Sequence, residues 1–226
     1  MIVDTHSHLN FNAFKEDLDE VIKRTLSQNI WMINVGTKYE TSKRAVEIAE
    51  NYKEGVYAAV GLHPMYAAAE FVNLKTDPDE GNFTIKEQDF EKEKYKKLAL
   101  GAGRKVLAIG EIGLDYYYKP KGVEKLARFK EKQKKVFLEQ LDLARELNLP
   151  VIIHSRMAHS DVIEILKSRD KISGVIHCFT GDMTQAEKYA EMGFYLGING
   201  IIWKLNIDEV IKNIPLEKLL IETDCP

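Results

Sequence analysis

Short apolar runs alternate with longer amphipathic stretches along this chain, and eight such runs can be counted. They lie near Ile2–Thr5, Trp31–Val35, Val56–Gly61, Val106–Gly110, Val151–His154, Val175–Cys178, Phe194–Ile198 and Leu219–Thr223. Most are nearly all apolar, rich in Val and Ile, and lack strict alternation, which is what parallel strands buried on both faces require. The clearest helical pattern runs from about Val123 to Asn148. There Leu126, Phe129, Val136, Phe137, Leu141, Ala144 and Leu147 recur at three-or-four spacing, while Lys130, Lys132, Glu139 and Glu146 fall between them. Pro150 stops that helix. Further helices are expected near Phe14–Ser27, Thr41–Tyr52, Glu87–Leu100, Asp161–Ser168, Thr184–Met192 and Ile207–Asn213. The polar stretch from Asn73 to Gln88, with Asp77-Pro78-Asp79-Glu80-Gly81, reads as a loop insertion.

Eight strands separated by helices predict an α/β protein with a (β/α)8 TIM barrel rather than an open doubly wound sheet, and no glycine-rich phosphate loop follows the first strand. With 226 residues and 45% apolar content the chain can bury one large core, so a single domain over residues 1–226 is expected. The chain is short for this architecture: it stops at Pro226, the helix that should cover the eighth strand is missing, and a longer native chain is expected.

No window approaches the roughly 20 apolar residues of a membrane span, and the start lacks a charged-then-apolar secretory signal. A cytoplasmic, monomeric protein is expected. Cys178 and Cys225 are too few for a disulfide framework and read as reduced thiols. The net charge of -3 excludes the broad basic footprint of a non-specific nucleic-acid binder, so an anionic substrate needs local positive charge.

Candidate chemistry collects where the strands finish, the face that carries active sites in barrels. Strand 1 ends in His6 and His8, which share a face at i and i+2. Strand 3 ends in Gly61-Leu62-His63-Pro64, strand 4 in Gly110-Glu111-Ile112-Gly113-Leu114-Asp115, strand 5 in His154-Ser155-Arg156. Strand 6 reaches His177, and strand 8 ends in Glu222-Thr223-Asp224. Only His159 of the six histidines lies elsewhere, and it is expected on the surface at a helix start. Each residue alone fits a core hydrogen-bonding role. Several imidazoles and two carboxylates in one mouth are costly to desolvate without compensating positive charge, which divalent metal supplies. Six ligands exceed one closed tetrahedral site, so two ions are expected, with Glu111 placed to bridge them. Imidazole favours Zn2+, Ni2+ or Fe, and the carboxylates admit Mn2+ or Mg2+.

The motifs Ile2-Val3-Asp4-Thr5-His6-Ser7-His8-Leu9-Asn10, Gly61-Leu62-His63-Pro64, Gly110-Glu111-Ile112-Gly113-Leu114-Asp115, Pro150-Val151-Ile152-Ile153-His154-Ser155-Arg156 and Leu219-Leu220-Ile221-Glu222-Thr223-Asp224-Cys225-Pro226 together resemble a TatD-type metal-dependent deoxyribonuclease of the amidohydrolase superfamily, over the whole chain. The resemblance implies a two-metal hydrolase, with His6 and His8 on one ion, His154 and His177 on the other and Glu111 between. Asp224 would bind the first ion and act on the attacking water. His63 would contact the scissile phosphate and Arg156 would be a second phosphate contact. Asp4 and Asp115 would orient ligands. The family pattern has an Asp where this chain has Met157, so any polar role there is lost.

The leading expectation is hydrolysis of DNA phosphodiesters from an end, on short single strands, with Lys119, Lys121 and Arg156 supplying positive charge. Tyr116, Tyr117 and Tyr118 either stack on bases or pack under their loop. An amide or ester hydrolase, including one acting on aminoacyl-tRNA, and a non-catalytic binding protein on the same barrel remain alternatives. A nucleophilic role for either thiol lacks a base partner in the motifs.

Overall fold

The computed structural model describes residues 1–72, 86–169 and 171–226. The elements follow in order: β1 Ile2–Ser7, α1 Leu18–Ser27, β2 Ile30–Val35, α2 Tyr39–Glu50, β3 Val56–Val60, α3 Pro64–Ala67, α4 Lys92–Ala102, β4 Val106–Asp115, α5 Val123–Leu147, β5 Val151–Arg156, α6 His159–Lys167, β6 Gly174–Ile176, α7 Met183–Glu191, β7 Tyr195–Ile198, α8 Asp208–Asn213 and β8 Leu219–Ile221. All eight strands pair in parallel in the order β1 to β8. The result is a nearly closed TIM barrel wrapped by helices, as the alternation predicts. Among the described residues, no helix is long and apolar enough to cross a membrane.

The gap between β8 and β1 is bridged by bonds other than a strand ladder. Thr5 Oγ1 donates to the Ile221 carbonyl at 3.1 Å, and the Asp4 carboxylate accepts from the Thr223 N–H at 2.9 Å and its hydroxyl at 2.7 Å. Beyond the strands, the Asp224 N–H donates to His6 O at 2.8 Å and the His8 N–H to Cys225 O at 3.0 Å. Asp4 therefore tethers backbone across this seam, and it reaches the N–H of His6 rather than its ring.

Two cores result. The larger one packs strands against helices and takes in Phe129, Phe137, Leu141 and Ala144 from α5. Each large side chain fully buried there contributes about 1.5–3 kcal/mol. The smaller set, Val35, Ala59, Ala108, Ile152 and Val175, draws one residue from each of β2 to β6 and fills the barrel interior.

Helix α5 follows its predicted span and ends on Asn148, left-handed at φ 52, whose N–H bonds back to Ala144 O and Arg145 O. Its buried stripe also holds two glutamines. Gln133 accepts from the Asp115 N–H at 2.9 Å and donates to Asp115 O at 3.0 Å; Gln140 treats Leu62 the same way at 2.7 and 2.9 Å. They lie seven residues apart, two turns along one face, and so fasten the ends of β3 and β4 beside His63 and the β4 motif.

Several boundaries differ from expectation. Strand β4 continues five residues past Gly110, through Glu111 to Asp115. β6 stops at Ile176, because Cys178 at φ 45 leaves extended geometry. α1 begins at Leu18, after a 3-10 turn over Asn12–Phe14. The loop insertion expected from Asn73 lies, as far as residue 85, outside the described residues.

Candidate metal centre

Side chains from the ends of six strands meet in the barrel mouth. His6 and His8 bring their Nε2 atoms to 3.1 Å. Asp224 Oδ1 lies 3.6 and 3.5 Å from those nitrogens, and Glu111 Oε2 lies 3.6 and 3.9 Å from them. The other Glu111 oxygen faces the opposite way: Oε1 is 2.8 Å from His154 Nδ1, 3.3 Å from His177 Nε2 and 3.5 Å from His63 Nε2. Glu111 thus turns one oxygen to each of two donor groups. The His6 and His177 rings stack at 3.7 Å between centroids, which makes the two groups adjacent.

Outer partners fix which ring nitrogen carries a proton. His8 Nδ1 sits 2.8 Å from the Val35 carbonyl, which can only accept, so a neutral His8 points its Nε2 lone pair at Asp224 and Glu111. His177 Nδ1 sits 3.1 Å from Glu222 Oε1, and His154 Nε2 sits 3.1 Å from Asp115 Oδ2. When these rings are neutral, their inner nitrogens are left as lone pairs aimed at Glu111. This carboxylate or carbonyl behind each imidazole is the arrangement that orients metal-binding histidines. His63 is built the other way round. As N-cap of α3 it accepts the Met65 N–H on Nδ1 at 3.2 Å, so neutral His63 carries its proton on Nε2 and is a donor toward the mouth.

Burial opposes charge at all of these groups, and neighbours decide the balance. At Glu111 the imidazoles of His63 and His177 outweigh burial and hold the carboxyl well below the usual range. Burial likewise opposes ionisation of Asp224 and Asp115, yet His177 and His8 hold Asp224 low, and His154 with Arg156 holds Asp115 low. Burial prevails at His63, pushing it down to about 4, and at His6, where His177 adds to it. Carboxylates overcome burial at His8 and His154, and Glu222, Asp224 and Glu111 together lift His177 well above its ordinary value. The cluster is strongly electronegative, and it attracts protons in the way it would attract a cation.

The donor set fits divalent metal. Ligands held about 2.1 Å from one ion at tetrahedral corners lie about 3.4 Å apart. His6 Nε2 and His8 Nε2 lie 3.1–3.9 Å from each other and from Asp224 Oδ1 and Glu111 Oε2. Among the described residues His6 Nδ1 and His154 Nδ1 are buried without a hydrogen-bond partner; when the His154 ring is neutral, its 2.8 Å approach to Glu111 brings two acceptors face to face. A positive ion between them removes that conflict. The trios His6, Glu111, His177 and His6, His8, Asp224 can each hold an ion. A third trio, His63, Asp115 and His154, is as compact, but there the His154 nitrogen already donates to Asp115.

The family model for TatD related DNase matches residues 3–226. A metal-dependent hydrolase of Bacillus subtilis (strain 168), YabD, is 40% identical over 234 residues, spanning all of this chain and 80% of that protein. The chain belongs to the TatD family of metal-dependent hydrolases. Deoxyribonuclease Tat-D of Schizosaccharomyces pombe is 35% identical over 219 residues, 93% of this chain and 64% of that protein. The crystal structure of YJJV, a TatD homologue from Escherichia coli K12, matches with a TM-score of 0.80 at 33% identity, covering 99% of this chain and 78% of that one.

In this TatD barrel several residues depart from their sequence-based placing. His159 is 7% exposed, not on the surface; Ser155 Oγ and Tyr189 OH each lie 3.1 Å from its Nδ1, and burial pushes it down to about 4. Arg156 spends two donors on Asp115, Nε at 2.9 Å and Nη2 at 2.7 Å, so only the rest of its fork faces outward. Lys119 and Lys121 are exposed in the β4–α5 loop. The Cys178 Sγ lies 3.8 Å from Asn199 Oδ1, and burial raises both thiols, which suits neither for nucleophilic work.

Glu222, given no role above, engages the centre of this TatD chain through one oxygen, while its Oε2 is buried without a hydrogen-bond partner among the described residues. Its Oε1 accepts from the Cys178 N–H at 2.7 Å and from Asn199 Nδ2 at 3.3 Å, besides facing His177. The signal was present, since Glu222 and Asp224 stand two apart at the end of one strand.

Proposed function

We propose that this TatD hydrolase is a deoxyribonuclease that removes nucleotides from short single-stranded DNA ends with two divalent ions. His6, His8 and Asp224 would hold one, His154 and His177 the other, with Glu111 shared. The observation that carries this reading is the Glu111 carboxylate, one oxygen toward each donor group, with outward-anchored imidazoles presenting lone pairs to it. When bound, the pair of ions supplies a reactive water and positive charge at the scissile phosphate.

The remaining work belongs to this chain. Asp224, ionised and with a third of its side chain open to solvent, takes the proton from the attacking water. His63, neutral through burial, donates its Nε2–H to a phosphate oxygen. Arg156, held in place by Asp115, offers the free edge of its guanidinium to the same phosphate. The likeness to deoxyribonuclease Tat-D of Schizosaccharomyces pombe supports phosphodiester over amide or carboxylic ester bonds.

Labelled oligonucleotide, a simple amide and an aminoacyl ester, each assayed with Mg2+, Mn2+ and Zn2+, test the proposal. Shortening of the oligonucleotide that disappears in Glu111→Ala is expected. Turnover confined to the amide or ester refutes the nuclease reading, and turnover of none of them favours a binding protein.

A further inference from the structure

Three consecutive tyrosines in the β4–α5 loop have opposite surroundings. Tyr116 is buried, its N–H donating to Arg156 O at 2.9 Å and its hydroxyl to Asp161 at 2.8 Å. Tyr117 and Tyr118 are 55% and 41% exposed, with rings meeting edge-on at 4.7 Å. The Arg156 guanidinium lies 4.7 Å from the centre of one ring and 5.2 Å from the other. This pair sits on anchored backbone: the Tyr117 N–H donates to Asp115 Oδ1 at 2.9 Å, and the other oxygen of that carboxylate holds both Arg156 and His154. From the aromatic pair to the candidate metal centre the path is Arg156, Asp115, His154, Glu111.

We infer that Tyr117 and Tyr118, braced by Arg156, are a stacking platform for the nucleobase next to the bond being cut. A flat ring surface beside a fixed guanidinium takes any base through its π face, and takes it most readily from an unpaired strand. The platform rests on the nuclease reading above and adds what the substrate must carry: a base beside the scissile phosphate, on a single strand. It also explains why Arg156 is held from behind. Asp115 fixes the guanidinium plane that orders both rings.

Fluorescence of a single strand with a terminal 2-aminopurine, mixed with chelator-treated protein, reads the platform without turnover. Quenching is expected with wild type and with Tyr117→Phe/Tyr118→Phe, and its loss with Tyr117→Ala/Tyr118→Ala. Tyr195→Ala removes a 39% exposed tyrosine beside Lys218 at the start of β7, the opposite end of the barrel, and should leave quenching intact. With Mn2+ restored, the double alanine variant should lose at least about 5-fold in kcat/KM on a base-bearing end, as loss of one stacked base predicts. It should match wild type on an end whose last residue is an abasic tetrahydrofuran. Quenching that survives the double alanine change, equal losses on base-bearing and abasic ends, or an equal effect of Tyr195→Ala overturns the platform. Tyrosine-dependent quenching by a protein that cleaves no oligonucleotide upholds the platform and overturns the nuclease reading.

Discussion

Gly197, in β7, provides a direct test of how the His177 side of the centre is held. A Cβ added there would meet Glu222 Oε2 at 2.3 Å and its carboxyl carbon at 2.8 Å, and the backbone itself would accept alanine. Reaching ordinary contact therefore moves the Glu222 carboxylate by about 1 Å, since contacts below about 3.4 Å are tight. Oε1, the oxygen that faces His177 Nδ1 at 3.1 Å, would itself lie 3.2 Å from that Cβ, so the carboxylate turns and the bond to His177 is disturbed. Losing such an orienting partner typically lowers metal affinity 10- to 100-fold, or about 1.4–2.8 kcal/mol. Overpacking adds about 1–3 kcal/mol of destabilisation, offset by up to about 1 kcal/mol from replacing glycine. Gly197→Ala should thus melt only a few degrees below wild type but require at least tenfold more free Zn2+ or Mn2+ for half-saturation by isothermal titration, and Glu222→Gln should show a similar loss. Wild-type metal affinity in Gly197→Ala would refute the orienting role of Glu222.

Other outcomes follow from the same geometry. His159 titrates near 4 when folded against about 6.5 when unfolded, so its contribution is present above 6.5 and lost as pH falls toward 4; urea titrations at pH 7 and pH 5 should differ by about 2 kcal/mol more in wild type than in His159→Gln. Chelation should remove all hydrolysis and lower the melting temperature, with both restored by excess divalent ion, worth about 2.7 kcal/mol at a hundredfold excess over Kd. Because the ions displace protons from imidazoles that the carboxylates hold protonated, His177 foremost, apparent metal affinity should fall with falling pH, and competition titrations between pH 8 and 6 would show it. His63→Ala should bind metal normally yet lose about 10- to 1,000-fold in kcat on oligonucleotide; a loss of metal instead would place it among the ligands.

The barrel was legible because buried parallel strands are written as unbroken apolar runs. That same criterion failed where a strand becomes functional. In β4 the apolar residues Ile112 and Leu114 pack into the helix-facing core while Glu111 and Asp115 turn to the mouth, so the alternating segment looked like a loop. The histidines and acids brought together in the mouth were visible as strand-end motifs. Two of their supports were not, because they come from other elements: Val35 O behind His8 and Gln133 behind Asp115; Glu222 stood in the strand-8 motif, but nothing local paired it with His177. The buried glutamines of α5 stood within its apolar stripe, the one local clue to their role. His159 carried no such clue, since its burial depends on Tyr189 of α7, 30 residues away.

The seam between the first and eighth strands joins residues more than 200 positions apart. His6 and His8 stand on one side of it and Asp224 on the other, so any cation gripped by that trio is also a rivet through the place where the ring lacks a ladder. A nascent chain cannot complete this half of the centre until its eighth strand has been made. In the finished protein, amides bordering the seam should be the first to exchange with solvent deuterium when the ion is withdrawn, well before those of β3 and β4.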